Sequence, residues 1–368
     1  MATLITERKR SALTRGRLPR YTHWVIAAGA VVVSAALLSL VGFNVFGWAV
    51  LSAVLFAAAN VTAAAIVEGR RKATDKLASS LIYGAFLVAL LPLVSVIWTV
   101  LLNGVPGLLT PGFLSTSMNG VTGAVDNAAV ADGTPVLGGV YHALVGSVLI
   151  TLWATIISVP VGLLTAIYLV EYSAGNKFSK VITFLVDVMT GIPSIVAGLF
   201  AAAFFALILG PGTKTGFVAA VALSVLMIPV VVRSSEEMLK IVPNELREAA
   251  YALGVRKWRT IVKVVIPTAI SGIASGVTLA IARVIGETAP LLVTAGFATS
   301  INMNVFAGWM SSLPTFIYTQ IMTPTSPSNS DPSTQRAWAA ALLLILLVML
   351  LNLGARLVAR LFAPKTGR

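Results

Sequence analysis

The chain has 368 residues, of which 57% are apolar and only 11% are charged, and its mean hydropathy is +0.93. Soluble domains carry about 25% charged residues, so this composition excludes a soluble protein and indicates an integral membrane protein. Cysteine is absent and only two histidines are present, which excludes disulfides, thiolate nucleophiles and a cysteine or histidine metal centre. The net charge of +13 would suggest nucleic acid as the partner of a soluble protein, but for a membrane protein we expect no such partner.

Eight segments are apolar and long enough to cross about 30 Å of hydrocarbon. The sequence therefore predicts an all-α membrane protein with about eight transmembrane helices. The predicted spans are residues 25–43, 45–67, 77–102, 142–170, 181–209, 216–232, 268–295 and 337–358.

The distribution of positive charge predicts the orientation of these spans. Cytoplasmic loops of membrane proteins carry an excess of Lys and Arg. When both termini are placed in the cytoplasm, 23 of the 26 Lys and Arg residues lie on that side, and only Lys214 and Arg336 lie in loops on the other. The sequence thus predicts a multi-pass protein of the plasma membrane with both termini in the cytoplasm.

Three segments lie outside the main group of spans. Residues 1–24 form a basic cytoplasmic arm, residues 25–67 a separable transmembrane hairpin, and residues 359–368 a cytoplasmic tail. The basic arm in front of the first span argues against a cleaved signal peptide.

No stretch of the sequence predicts enzymatic chemistry in this chain. Residues 210–216 are glycine-rich, but they lack the spacing of a phosphate-binding loop and follow no predicted strand. The outer loops contain three acids, Asp126, Asp132 and Asp331, against two bases, so they do not attract anions by charge. We therefore expect no catalytic residue, metal site or cofactor in this chain, and we expect high-affinity capture of an anion by another polypeptide.

The seventh predicted span carries two opposite charges, Arg283 and Glu287, four residues apart. At 100° per residue, Gly272, Gly276, Arg283 and Glu287 share one stripe of this helix. The Gly272-x-x-x-Gly276 spacing lets another helix approach closely, so we expect the two charges at a helix interface and not in lipid.

Two roles are open for this pair on the sequence alone. A buried ion pair that only holds the bundle together is one, but such pairs stabilise poorly relative to apolar packing. The other is transport, because a planar guanidinium gives two hydrogen bonds to an oxyanion and its charge lowers the barrier for an anion in the membrane. We favour the transport role, in which Glu287 holds the guanidinium of Arg283 in place or accepts a proton from the anion.

Asp187 is a second acid at membrane depth, in the fifth predicted span. Helical periodicity places Gly191, Ser194 and Gly198 within about 40° of it, which predicts a second close-packing face. Asp187 also lies only about two turns from a cytoplasmic loop, so a hydrated carboxylate near the helix end is an equal alternative to a transport role. Arg233, at the end of the sixth predicted span, is most simply an anchor at a helix C-terminus.

The largest predicted cytoplasmic connection, residues 233–263, contains a short helix that Asn244 can cap and Gly254 can end. Taken alone, this pattern favours the bilayer surface as the helix's partner over a protein groove. The apolar face of the helix follows helical spacing and is formed by Leu246, Ala249, Ala250 and Leu253.

This connection carries a recognisable motif. Glu248-Ala249-Ala250-x₃-Gly254 is followed after nine residues by Val264-Val265-Ile266-Pro267. The pattern resembles the EAA loop of bacterial ABC importer permeases and departs from it only by apolar replacements at residues 264 and 266. In that family the loop forms a coupling helix that sits in a groove of the ATP-hydrolysing subunit. The resemblance implies the same role for residues 245–254, which replaces the bilayer surface as the expected partner.

Three further stretches, residues 187–196, 228–237 and 282–290, resemble the PstA-type permease of the bacterial phosphate-specific ABC importer. The resemblance covers about residues 77–358. It implies a six-helix type I ABC importer permease core in the bacterial inner membrane, to which the hairpin at residues 25–67 is an addition.

The resemblance also implies a function and a set of partners. The chain is expected to form half of the translocation path of an ATP-driven phosphate importer, with the arginines at 233 and 283 acting in transport. The expected partners are a second related permease, two ATPase subunits that bind ATP and Mg²⁺, an extracytoplasmic phosphate-binding protein, and membrane lipid.

Three other functions stay open on the sequence. The coupling motif does not choose a substrate, so the chain could serve an ABC importer for another oxyanion or small solute. An ion-coupled secondary transporter could use Arg283, Glu287 and Asp187 as its sites. A membrane scaffold without a transport role would tolerate the loss of Arg283.

Overall fold

A computed structural model describes residues 18–173 and 175–362, together with Gly16. This part of the chain is helical and contains no β-strand. There are also two short π-helical segments. Tyr168–Tyr172 directly follows the helix Tyr141–Ile167, and Ile261–Val265 directly precedes the helix Ile266–Val284. The helices are α1 (Thr22–Val41), α2 (Val45–Val67), α3 (Arg70–Leu108), α4 (Gly123–Ala131), α5 (Tyr141–Ile167), α6 (Lys177–Thr190), α7 (Ser194–Leu209), α8 (Gly216–Ile241), α9 (Asn244–Ala252), α10 (Lys257–Thr260), α11 (Ile266–Val284), α12 (Ala289–Thr294), α13 (Leu313–Met322) and α14 (Asp331–Phe362).

Seven helical segments within the described residues are long and apolar enough to cross a membrane. The bent pair of α6 and α7 adds an eighth if it counts as one span. The prediction of an all-α membrane protein with about eight transmembrane helices is therefore confirmed. The seven segments are Thr22–Leu40, Val45–Val67, Arg70–Leu108, Tyr141–Tyr172, Gly216–Ile241, Lys257–Val284 and Asp331–Gly354.

The prediction of one continuous helix over residues 181–209 is wrong. The axes of α6 and α7 differ by 107° across a three-residue break. Pro193 has no backbone N–H and disfavours the helical conformation in Ile192, while Gly191 has a low helix propensity. These residues stop α6 and allow the chain to start α7 in a new direction.

Other predicted spans have different ends in the structure, and the third runs over Arg70–Leu108 instead of residues 77–102. The sixth continues past residue 232 to Ile241, because Glu236 pairs with Arg233 and Lys240 on one helix face and so sustains the helix through a polar stretch. The seventh begins earlier than residue 268 and ends at Val284 instead of 295. Gly286 and Pro290 follow this end, and neither favours continuation of the helix.

The chain divides into two compact units, residues 1–98 and 99–368, with the boundary inside α3. In the first unit, α1 and α2 form a hairpin. The Asn44 side chain caps α2 by accepting hydrogen bonds from two backbone N–H groups. The hydroxyls of Ser34 and Ser52 lie 2.6 Å apart, and the Trp48 indole donates to the Val31 carbonyl over 3.1 Å.

Helix α8 forms the centre of the second unit. It packs against α5, α7 and α11, and its side chains Leu223, Met227 and Val231 are almost completely buried. Gly162 of α5 lies against the Val231 side chain, where an added Cβ would come within 2.7 Å. Small residues therefore let α5 approach α8 closely, as is common between membrane helices.

Candidate functional site

The contact between α6 and α8 brings together two charged residues that the sequence placed in different spans. The guanidinium of Arg233 donates from Nη2 to Oδ1 of Asp187 in a short contact, and from Nη1 to Oε2 of Glu236 over 2.9 Å. Arg233 lies in the interior of α8, eight residues before its end, so its interpretation as an anchor at a helix C-terminus is wrong.

The two carboxylates around Arg233 have different surroundings. The side chain of Glu236 is 10% exposed and also accepts a hydrogen bond of 2.7 Å from Lys240 Nζ. The side chain of Asp187 is 58% exposed and has Arg233 as its ion-pair partner. Glu236 is thus fixed on the same helix as the arginine, whereas Asp187 reaches it from another helix. Glu236 was not predicted as a site residue, although its spacing to Arg233 and Lys240 predicts pairs on one helix face.

Arg283 and Glu287 do not form the pair that the sequence predicted. Arg283 lies in the last turn of α11, and Glu287 lies in the break between α11 and α12. Their side chains make no hydrogen bond or ion pair with any described residue. Arg283 is exposed and Glu287 is half-buried in the isolated chain. The helical periodicity used for Glu287 does not apply, because the helix ends three residues before it.

Gly272 and Gly276 lie where α11 crosses α8. A Cβ added at Gly272 would overlap the Met238 side chain, and one added at Gly276 would overlap the Ser234 hydroxyl. These contacts show that α8 and α11 run antiparallel. Arg283 is seven residues beyond Gly276, which places it about 10 Å further along the axis than the level of Ser234 and its neighbour Arg233.

The two glycines near Asp187 have different environments. A Cβ at Gly198 would come within 2.6 Å of Pro290 Cα, so α7 approaches α12 closely at this point. Gly191 is the C-cap of α6, and an added Cβ would meet only the Val188 carbonyl of its own last turn, at an ordinary 3.5 Å. The prediction of one packing face through Asp187, Gly191 and Gly198 is wrong, because the bend separates α6 from α7.

The helix after α8 is largely exposed. In α9 and the following turn, Leu246, Glu248, Ala249 and Leu253 are exposed, and only Ala250 of this predicted group is buried. Gly254 ends the helix region with φ +72°, a left-handed conformation that favours glycine. Helix α9 begins at Asn244, whose side chain accepts a hydrogen bond from Arg247 instead of capping the helix.

A buried ion pair joins α4 to α14 and involves none of the site residues predicted from the sequence. Arg336 donates to both carboxylate oxygens of Asp126, over 2.9 and 2.6 Å, and the two side chains are 2% and 1% exposed. Burial favours the neutral carboxyl, but the hydrogen bonds from Arg336 and Thr325 outweigh it and lower the pKa of Asp126. The two residues are 210 positions apart, so no local pattern could predict the pair.

Within residues 18–173 and 175–362, no three His, Asp or Glu side chains cluster closely enough to hold a metal ion. The chemically distinctive features of the described structure are therefore arginines and their carboxylate partners.

Residues 158–368 match the family described as binding-protein-dependent transport system inner membrane component. The chain belongs to this family. The permease is also 46% identical over 289 residues to phosphate transport system permease protein PstA 1 of Mycobacterium tuberculosis (strain CDC 1551 / Oshkosh), covering 78% of this chain and 90% of that protein.

Two further relatives carry the same type of name. PstA of Mycobacterium leprae (strain TN) is 46% identical over 287 residues, covering 78% of this chain and 89% of the relative. PstA of Pasteurella multocida (strain Pm70) is 38% identical over 289 residues, covering 78% and 95%. Within the family, the permease is therefore of the PstA type. It is a multi-pass inner membrane transport subunit of an ABC importer, a class that acts together with ATPase and permease subunits.

Proposed function

We propose that the permease forms half of the translocation path of an ATP-driven phosphate importer. Its relatives named phosphate transport system permease protein support phosphate as the substrate. In this proposal a second related permease completes the path and an extracytoplasmic phosphate-binding protein delivers the anion. Two ATPase subunits bind ATP and Mg²⁺ and hydrolyse the nucleotide, and this chain binds no cofactor.

The arrangement of two arginines on adjacent helices carries the proposal. Arg233 on α8 and Arg283 on α11 are separated by about 10 Å along the antiparallel pair. Both guanidinium groups are at least partly accessible in the isolated chain, where a second permease would face them. Two such groups lower the barrier for an anion at successive depths of the membrane.

The partners of Arg233 suggest how it would receive phosphate. A guanidinium can give two parallel hydrogen bonds to a phosphate, as it can to a carboxylate. Asp187 holds one side of Arg233 from another helix and is mostly exposed, so a phosphate can replace it. Glu236 stays in place because Lys240 also binds it. Arg283 has no ion-pair partner among the described residues, and Glu287 lies near enough in the chain to act with it or to accept a proton.

The orientation and the coupling role complete the proposal. With both termini in the cytoplasm, the loop at residues 233–263 is cytoplasmic and α9 is the coupling helix. Its exposed Leu246, Glu248, Ala249 and Leu253 would enter a groove of the ATPase subunit, while buried Ala250 and the turn at Gly254 fix its base. Residues 77–358 would form the permease core, preceded by the hairpin at 25–67.

Phosphate uptake by the complete importer, reconstituted in liposomes, tests the role of Arg283. We expect R283Q to reduce ATP-dependent uptake by about 10- to 100-fold, because a charge-assisted hydrogen bond contributes about 1.5–3 kcal/mol. R283K, which keeps the charge without the planar fork, should lose less. R71Q is the matched control, because Arg71 is exposed on α3, outside the coupling loop, and makes no ion pair with a described residue.

Unchanged uptake by R283Q would contradict the role of Arg283. Equal competition by sulfate or molybdate would instead assign the path to another oxyanion. Uptake that persists after ATP depletion would contradict the ATP-driven mechanism.

A further inference from the structure

The guanidinium of Arg247 in α9 joins three helical elements at one point. Its side chain is 12% exposed, although most of α9 is exposed, and the side chain of its partner Glu171 is 5% exposed. Nε and Nη2 of Arg247 donate to Glu171 Oε1 over 3.1 and 2.8 Å. Nη2 also donates to the Leu239 carbonyl over 2.9 Å. Nη1 donates to the Val242 carbonyl over 2.6 Å and to Asn244 Oδ1 over 3.2 Å.

The four partners of Arg247 belong to three parts of the permease. Leu239 lies in the last turn of α8 and Val242 is its C-cap, so their carbonyls have no partner within the helix and attract a cation. Glu171 lies in the π-helical segment Tyr168–Tyr172 that ends the α5 span. Asn244 is the first residue of α9 itself.

These contacts decide how α9 can move. The covalent connection between α8 and α9 is only Val242 and Pro243. Among the described residues, every side-chain hydrogen bond from α9 to α5 or α8 is made by Arg247. Helix α9 also packs against α10 and the π-helical segment Ile261–Val265, but these contacts do not join it to the ends of the α5 and α8 spans. Without the hydrogen bonds of Arg247, part of a force applied to α9 would rotate it about the Val242–Pro243 connection and would not reach those ends.

We propose that Arg247 and Glu171 are positioning residues that make α9 and the adjoining ends of α5 and α8 move as one body. This inference rests on the proposed function, in which α9 receives the motion of an ATPase subunit. The pair then transmits that motion to α8, which carries Arg233, and to α5, which packs along α8. Glu171 is needed because it is the link to α5.

The number of anions transported per ATP hydrolysed measures this transmission. In the reconstituted importer we expect E171Q and R247K to hydrolyse ATP within about twofold of the wild-type rate, since the exposed face of α9 is unchanged. Phosphate uptake per ATP should fall at least about threefold in both variants. E171Q keeps the size and the acceptor oxygen of Glu171, and R247K keeps the charge, so both changes are conservative. R71Q serves again as the control and should keep the wild-type ratio.

A distance measurement tests the connection between α9 and α5 through Arg247 and Glu171 without phosphate. The chain contains no cysteine, so spin labels can be attached to E245C on α9 and L164C on α5 alone. In the wild-type background we expect one distance between the labels, with or without a non-hydrolysable ATP analogue. In the E171Q background the analogue should produce a second distance.

Several results would overturn the inference. They are an unchanged uptake per ATP in both variants, a label distance that responds to the analogue in the wild type, and a distance that responds in neither background. Failure of E171Q to assemble into the importer would also overturn it, because the pair would then be required for folding and not for transmission. Failure of the wild-type importer to take up phosphate would contradict the proposed function. The label distances would still test whether Arg247 and Glu171 hold α9 to the end of the α5 span.

Discussion

At the scale of single residues, Arg336 shows how a charge can be buried in this fold. Its guanidinium donates to Asp126 and Gln320, to the Leu137 carbonyl, and to the hydroxyls of Thr325 and Ser333. A buried charge is tolerated when a counter-charge and hydrogen bonds replace its water. The cluster ties α4, α13 and α14 together, and its role is to hold these helices in register.

Removal of the carboxylate from this cluster should destabilise the permease. We expect D126N to lower the free energy of unfolding by about 3–5 kcal/mol, because it leaves the buried Arg336 without a counter-charge. Asp132 is exposed in the same connection and makes no ion pair with a described residue, so D132N is the matched control.

The same carboxylate should make stability depend on pH. The pKa of Asp126 is lowered in the folded chain, so its contribution is fully present above the unfolded value of about 4 and is lost as the pH falls through the folded value. Thermal unfolding in detergent between pH 7 and pH 3 measures both effects. A wild-type midpoint that falls no more steeply at low pH than that of D126N would contradict the assignment.

At the scale of helices, the crossing of α8 and α11 depends on glycine. We expect G276V to be destabilised by about 1–3 kcal/mol, because its side chain would overlap Ser234 and force the helices apart. Gly84 in α3 has open space around its Cβ position, so G84V is a control with the same helix-propensity cost. Thermal unfolding of the two purified variants gives the comparison. Equal losses in both would mean that propensity and not packing sets the cost at Gly276.

The helices also show what the sequence could predict. Hydropathy located every span, since long apolar runs have few alternatives to a transmembrane helix. It failed at the break before Ser194 and at the end of α11, where a proline and a glycine end the helix although the segment as a whole stays apolar. For the same reason the helical periodicity does not reach Glu287, and the position of Arg283 at a helix interface stays a prediction.

Pairing between helices was beyond the reach of local patterns. Asp187 was recognised as an acid at membrane depth and Arg233 was interpreted as an anchor at a helix end, and their contact across 46 positions follows from no spacing in the sequence. The contact of Arg247 with Glu171 across 76 positions was missed for the same reason. Only Glu236 could have been found from its spacing along α8.

At the scale of the whole molecule, the two compact units differ in how they are stabilised. In the most apolar stretch of α8, 61% of the residues are buried within the chain. In the corresponding stretches of α1 and α2, only 11% are buried. Few side chains of α1 and α2 are buried, and the hairpin has a contact of its own between Ser34 and Ser52. The match to the transporter family begins only at residue 158.

This difference predicts that the hairpin can be removed without loss of transport. We expect a chain that lacks residues 1–67 to assemble with its partners and to take up phosphate at a rate comparable to the full chain, because the arginines, the coupling helix and the core around α8 all lie in the second unit. Uptake per assembled complex is the measurement, with the amount of chain in the membrane determined separately. Normal assembly with lost uptake would show instead that the hairpin takes part in the transport cycle, and loss of assembly would assign it to subunit association.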